Sequence, residues 1–344
     1  MKRALASCKP MKMWIDGKCF EIRRFQKKSK KSAQDDGQRT EDDVKYDIST
    51  TEDGKLFTSF RLPEVYYSKL SKFPDWDLKI LETSTNTTIS IPNRGNLVIT
   101  GDSEATITEA RNEIQSIVGA IRDHVSALQF VSIPTRSDEI VANFTKFKEE
   151  ILSGDKIDGM EESIFQSPFK LHLTVVVFAL LDDHEKSEAI KALQDYKNMI
   201  LDPLIAKSGP VKIRVSGIDC MNNNYKKVDV LYANAKIVDE SEELSLQKLV
   251  NELSDHFYDR GLVRTYQDNV KLHMTLINTK YRKEVGTPRK KRWSRKQSFN
   301  ATTIMEKYKD FTFGECNLDC IHLSLMGSVG DDGFYEPMSI INVK

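Results

Sequence analysis

The chain has little of what marks several protein classes. Its five cysteines, Cys8, Cys19, Cys220, Cys316 and Cys320, are odd in number and form no CxxC unit. That spacing argues against a disulfide framework and for free thiols in a reducing compartment. Cys316 and Cys320 lie close in sequence, but no histidine or cysteine cluster completes a metal set, so neither a metal nor another cofactor is expected. No apolar run reaches the length of a membrane span, and the first residues lack the apolar core of a secretory signal; no membrane partner is expected. Charge of one sign is also missing. Lysine plus arginine number 51, as do aspartate plus glutamate. No global field draws a polyanion, so any such attraction must be local. Histidine is sparse, with six in 344 residues. Where those six fall therefore carries weight.

The chain is longer than one hydrophobic core commonly serves. Residues 1–49 are polar and charge-blocked, Lys27, Lys28, Lys30 and Lys31 preceding Asp35, Asp36, Glu41, Asp42 and Asp43. They are expected to be mostly disordered. Apolar residues around Asp16-Gly17 predict a short hairpin there, a candidate docking motif. Residues 50–126 alternate strand and helix signals. Phe57–Leu62, Thr88–Ile91 and Leu97–Thr100 read as strands, Glu64–Leu70 and Leu78–Ser84 as short helices. A long amphipathic helix follows Ser103, its N-cap, with Ile107, Ala110, Ile114, Ile117, Val118 and Ile121 on one stripe. Residues 127–344 read as one α+β domain of two lobes. Strands are expected at Phe130–Pro134, Val211–Ile218, Val228–Ile237 and, last, Cys320–Met326. Helices are expected at Glu139–Leu152, around Ser187–Ile200, and from Leu246 to Phe257 with Gly261 as the cap.

Two strings within that domain nearly copy each other: Lys170-Leu171-His172-Leu173-Thr174-Val175 and Lys271-Leu272-His273-Met274-Thr275-Leu276. Period-2 alternation makes each a strand, with Lys, His and Thr on one face and the apolar residues on the other. One such HxT string is commonly just the wet face of a sheet. Two, in matching settings, predict a groove holding His172, Thr174, His273 and Thr275. One imidazole, neutral, takes a proton; the other, protonated, delivers one; the hydroxyls donate to phosphoryl oxygens. Lys170 and Lys271 are within reach of the same anion. His322, in Ile321-His322-Leu323-Ser324-Leu325, fits a similar pattern without a lysine before it and reads as structural or as a support behind a site residue; a groove built from His172 and His322 instead is the competing arrangement. His124, His184 and His256 sit in charged helical stretches and read as surface residues. After the second string comes a basic run with Arg289, Lys290, Lys291, Arg292 and Trp293. It could guide RNA toward the groove, serve as a nuclear-import signal, or be a solvated loop.

The paired strings, with Phe130-Val131-Ser132-Ile133-Pro134 as a first strand, resemble the two-histidine (2H) phosphoesterase superfamily. That resemblance implies a bilobal fold with two pseudo-symmetric sheet lobes and metal-independent chemistry on RNA phosphodiesters. Residues 50–126 resemble a type I KH domain, through Ile89-Ser90-Ile91-Pro92 and Val98-Ile99-Thr100-Gly101. Lys72-Phe73-Pro74-Asp75 stands where KH domains carry GXXG, and Trp76 follows. Without those glycines the usual clamp on a nucleic-acid backbone is lost, and the module reads as degenerate. A KH module ahead of a 2H domain resembles a family of nuclear accessory subunits of helicase-containing coactivator complexes. That implies a large helicase partner, single-stranded RNA or RNA ends as ligand, and roles in transcription and alkylation repair, in the nucleus, with the cytoplasm as the alternative. Two other readings stand beside it: a stand-alone 2′,3′-cyclic or 2′,5′-phosphodiesterase, and a catalytically silent module binding RNA ends or protein.

Overall fold

A computed structural model describes residues 46–70, 77–92, 94–123, 125–222, 224–241, 244–263, 266–283 and 297–343, and the backbone of 11–15 and 18–22. Strands β1 (Met11–Ile15) and β2 (Lys18–Ile22) pair antiparallel, with Ile15 opposite Lys18; Asp16 and Gly17, where the hairpin turn was expected, lie outside the described residues. The chain divides into two compact units, residues 1–126 with 179–187, and residues 127–178 with 188–344.

The first unit contains β3 (Ser49–Thr50), β4 (Leu56–Arg61), α1 (Glu64–Leu70), α2 (Leu78–Thr85), β5 (Thr87–Ser90), β6 (Asn96–Gly101) and α3 (Glu104–Asp123). Its antiparallel sheet runs β3-β4-β6-β5. Local chemistry sets these boundaries. Asp77 caps α2 by accepting from the Lys79 amide at 2.8 Å, and Asn86 ends it in the left-handed conformation that asparagine tolerates. Ser103 Oγ accepts from the Thr106 amide at 3.3 Å, the expected N-cap of α3. The stripe of α3, Ile107, Ala110, Ile114 and Val118, packs with Phe60, Leu97 and Ile99 into a buried core, and Leu181 from the 179–187 segment adds to it. Arg122 and Glu185 form a buried ion pair in this unit. Positions 72–76, which stand in place of a KH glycine loop, lie outside the described residues.

In the second unit come β7 (Gln129–Pro134), α4 (Asp138–Ser153), β8 (His172–Phe178), α5 (Asp183–Tyr196, its first residues in the first unit), α6 (Asp202–Ser208), β9 (Lys212–Cys220) and β10 (Val230–Ile237). Then follow α7 (Leu246–Asp259), β11 (Met274–Asn278), α8 (Thr302–Tyr308), β12 (Thr312–Asn317), β13 (Cys320–Val329) and β14 (Tyr335–Asn342). The described strands make one antiparallel sheet ordered β12-β9-β10-β11-β8-β7-β13-β14. At its middle the ladder thins to the pair Met274–Leu173. That seam separates two four-stranded lobes of mirrored order, each with its histidine string at the seam. This is the α+β bilobal architecture expected.

Several expectations need correcting. Cys320–Met326 is not the last strand, because β14 pairs with it across the turn at Gly330–Phe334. The helix expected around Ser187–Ile200 starts at Asp183 and widens into a π-helical stretch, Lys197–Leu201. The histidine strings are only partly strand. Pro168–Lys170 is a 3-10 turn, β8 opens at His172, and β11 opens one residue after His273. His256 is not a surface residue. It is half-buried, its Nε2 lies 3.0 Å from the Ala192 carbonyl, and its ring meets Tyr196. Cys220 and Cys316 are free and buried, Cys320 free and half-buried. No helix among the described residues is long and apolar enough to cross a membrane.

Candidate active site

The register at the seam decides which side chains meet. Leu173 lies opposite Met274 in an antiparallel pair, and both are buried. Continuing that register by one residue either way sets His172 opposite Thr275 and Thr174 opposite His273. Alternation then sends all four to the face away from Leu173 and Met274, where each is half-buried. The fold thus brings together the two imidazoles and two hydroxyls singled out from sequence.

Each imidazole is fixed alike. His172 Nδ1 lies 2.7 Å from the Lys170 carbonyl, and His273 Nδ1 lies 2.6 Å from the Lys271 carbonyl. A carbonyl only accepts, so Nδ1 carries the proton and Nε2 is left as the basic atom of the neutral ring. His172 Nε2 lies 3.1 Å from Thr174 Oγ1, which donates to it. Burial pushes the His172 pKa down to about 4, against the Lys170 carbonyl, with nearby His273 lowering it further. Burial likewise lowers His273. Both shifts favour the neutral form of the rings. The expected split of one neutral and one protonated ring needs an anion to raise one of them.

Aromatic rings that sequence reasoning missed wall this face. His172 touches Phe130, Phe334 and Tyr335 at centroid distances of 5.3, 6.0 and 5.4 Å. His273 meets the edge of Tyr232 at 5.6 Å. The lysines follow the same two-fold plan. Lys170 Nζ sits 4.8 Å from the Tyr335 ring centre and Lys271 Nζ 4.8 Å from that of Tyr232. Each lobe thus repeats one unit: a lysine over a tyrosine, its carbonyl holding the histidine whose ring meets that tyrosine. Gln166, buried, donates through Nε2 to the Tyr281 hydroxyl at 3.0 Å, and burial pushes that phenol up to about 12. The tyrosines gave only a weak sequence signal, being alternate strand residues with no motif of their own. Tyr335 reaches His172 only because the β13–β14 hairpin curls back over β7.

His322 stands apart. It lies opposite Ser132 on β7, is 6 % exposed, and has its Nε2 3.2 Å from Cys320 Sγ. Phe334, wholly buried, packs edge-on against both His322 and His172. Phe334 thus takes up space between that imidazole and the groove. Arg289, Lys290, Lys291, Arg292 and Trp293 lie outside the described residues, as does His124. Among the described residues no group of three His, Cys, Asp or Glu is placed to hold a metal ion.

Two strands meeting at a seam with facing HxT pairs define a 2H phosphoesterase type of groove. The family model described as the AKAP7 2′5′ RNA ligase-like domain matches residues 129–343. The mouse protein named activating signal cointegrator 1 complex subunit 1 is 30% identical over 303 residues, 84% of each chain. The chain belongs to the family of that cointegrator subunit, and its second unit to the RNA ligase-like 2H domains. A crystal structure of TT0787 from Thermus thermophilus is similar at 15% identity and a TM-score of 0.40, covering 63% of this chain and 97% of that one. That last likeness is too distant to bear on the site.

Proposed function

We propose that the seam groove binds an RNA phosphodiester and cleaves it without a metal, within a nuclear accessory subunit of a helicase-containing cointegrator complex. The observation that carries this is the facing of His172–Thr174 and His273–Thr275 across one ladder. A phosphodiester anion seated between the rings offsets positive charge, so one imidazole is protonated while its partner stays neutral. The neutral Nε2 takes the proton of the attacking water or ribose hydroxyl. The imidazolium returns a proton to the leaving oxygen. Thr275 donates to the non-bridging oxygens, and Thr174 turns its one proton from His172 Nε2 to the same oxygens when the anion binds. Lys170 and Lys271, held over tyrosines at either side, add cationic charge next to the anion. The basic run at 289–293 draws the RNA strand in.

The first unit is read as a degenerate KH domain, supported by its strand–helix–helix–strand–strand–helix order and its β4-β6-β5 sheet. With Lys72-Phe73-Pro74-Asp75 at the glycine loop, its role is protein contact rather than RNA clamping. The named relative, a cointegrator complex subunit by its name, supports a place in such a complex; a helicase neighbour and roles in transcription coactivation and alkylation repair are part of the proposal. The deciding experiment incubates the full chain, with EDTA, on 2′,3′-cyclic-phosphate and 2′,5′-linked oligonucleotides beside a His172→Ala/His273→Ala variant. Turnover is expected for the wild type only. Equal product from both proteins overturns the catalytic reading. RNA binding without turnover leaves the silent binding module in its place.

A further inference from the structure

The groove does not end at His273. Along β10 the residues sharing its face are Tyr232, Asn234 and Lys236, and among the described residues the β11 pairing ends at Met274 opposite Ala233. Instead residues 269–272 stand off and leave an open cleft of about 510 Å³, lined also by Gln247, Asn269 and Lys271. That size falls in the range of small-ligand sites, roughly 300–1,000 Å³. Tyr232 and Lys271 belong to both places. The Tyr232 ring touches His273, and the Lys271 carbonyl accepts from His273 Nδ1 at 2.6 Å. The cleft therefore adjoins the His273 end of the groove through these two residues.

Its lining suits a nucleotide. Two lysines, Lys236 and Lys271, and one carboxylate, Glu240, are among the residues lining it. Asn234 and Asn269 are exposed, and each has capacity to spare. Asn269 Oδ1 accepts from Asn251 at 2.8 Å, which leaves its NH₂ out of that bond. Asn234 Nδ2 reaches the Gly217 carbonyl at only 3.4 Å, leaving its oxygen out of that bond. The Asn269 NH₂ and the Asn234 oxygen, each outside those bonds, supply one donor and one acceptor, a pattern that matches a base edge. On the His172 side Phe130 and Phe334 are buried, each against His172 and Tyr335, and the half-buried Tyr335 offers ring surface instead.

We propose that this cleft is a nucleobase subsite, in which Asn234 and Asn269 read the base of the RNA nucleotide on the His273 side while Lys236 and Lys271 hold its phosphate. The proposal rests on the RNA-binding reading of the groove and adds an asymmetry to it. Sequence preference resides in one flanking nucleotide, and the other is held by the Tyr335 ring and the Lys170 charge.

The test measures binding of 2′-O-methyl RNA hexamers of A, C, G and U, and of an abasic hexamer, by fluorescence anisotropy. The proteins are the full-length wild type, Asn234→Ala, Asn234→Ala/Asn269→Ala and Lys236→Ala, each checked by thermal melting. Wild type is expected to favour at least one base over the abasic strand by about tenfold, an amide pair's worth of hydrogen bonds. The double asparagine variant is expected to bind all five strands alike, and Asn234→Ala to lose part of the preference. Lys236→Ala is expected to weaken all strands equally and flatten the salt dependence. A base preference that survives in the double variant, or a wild type indifferent to the base, overturns the subsite but not the groove. No binding of any hexamer by the wild type overturns both.

Discussion

Glu185→Ala probes how the first unit is held together. Glu185 is 1 % exposed, and its partner Arg122 has a side chain 7 % exposed. One Glu185 oxygen accepts from Arg122 Nη1, and the other accepts from the Leu181 amide at 2.7 Å. Arg122 Nη2 also donates to the Ala179 carbonyl at 3.3 Å. Removing the carboxylate leaves a guanidinium buried without its charge and a backbone amide without its acceptor. Breaking a buried pair from one side costs about 3–5 kcal/mol. Replacing both partners by apolar groups of like volume costs far less, since no charge is stranded. Glu185→Ala is therefore expected to lose about 3–5 kcal/mol, with most of it recovered in Arg122→Met/Glu185→Leu. Urea unfolding followed by hydrogen exchange at the α3 amides reads the unit containing the pair. A single-variant loss below about 1 kcal/mol, or a double variant worse than the single, refutes the reasoning.

Further outcomes concern the groove. His172 has a folded pKa of about 4 against an ordinary value of 6.5, so between these pH values the unfolded chain binds the extra proton. Its contribution is present above pH 6.5 and lost as pH falls toward 4, by up to ~3 kcal/mol. His172→Gln should flatten that part of the pH–stability curve, and an unchanged slope in chemical denaturation would count against burial of the ring. Thr174→Val and Thr275→Val each remove a donor to the phosphoryl oxygens, so turnover on a cyclic phosphate should fall on the order of 10²–10³-fold. Unchanged turnover in either variant would remove that threonine from the site.

The histidine strings were legible because their chemistry is local: alternation sorts a strand's faces without knowledge of its neighbours. The same holds for α3, whose stripe and Ser103 cap are written in consecutive residues. What escaped is long-range or locally irregular. The edge strand β14 carries Pro337, and its ladder shifts where Pro337 meets Ser324, so its strand pattern is broken. The other edge strand, β12, holds Gly314 at a φ of 129°, where an added Cβ would strike Glu139, and glycine masks the strand. Tyr335 and Phe334 join the site only through the hairpin's curl. Glu185 looks like one more charge in a solvated helix until Arg122, distant in sequence, is set beside it.

The central claim is that His172 and His273 share one phosphodiester. Proton NMR titration of the imidazole signals, with and without a non-cleavable RNA phosphodiester, tests it most directly. Both histidines are predicted to shift together on binding, and one pKa to rise from its depressed value, while His322 stays where it was. Movement of only one of the two rings, or of His322 with His172, would contradict it.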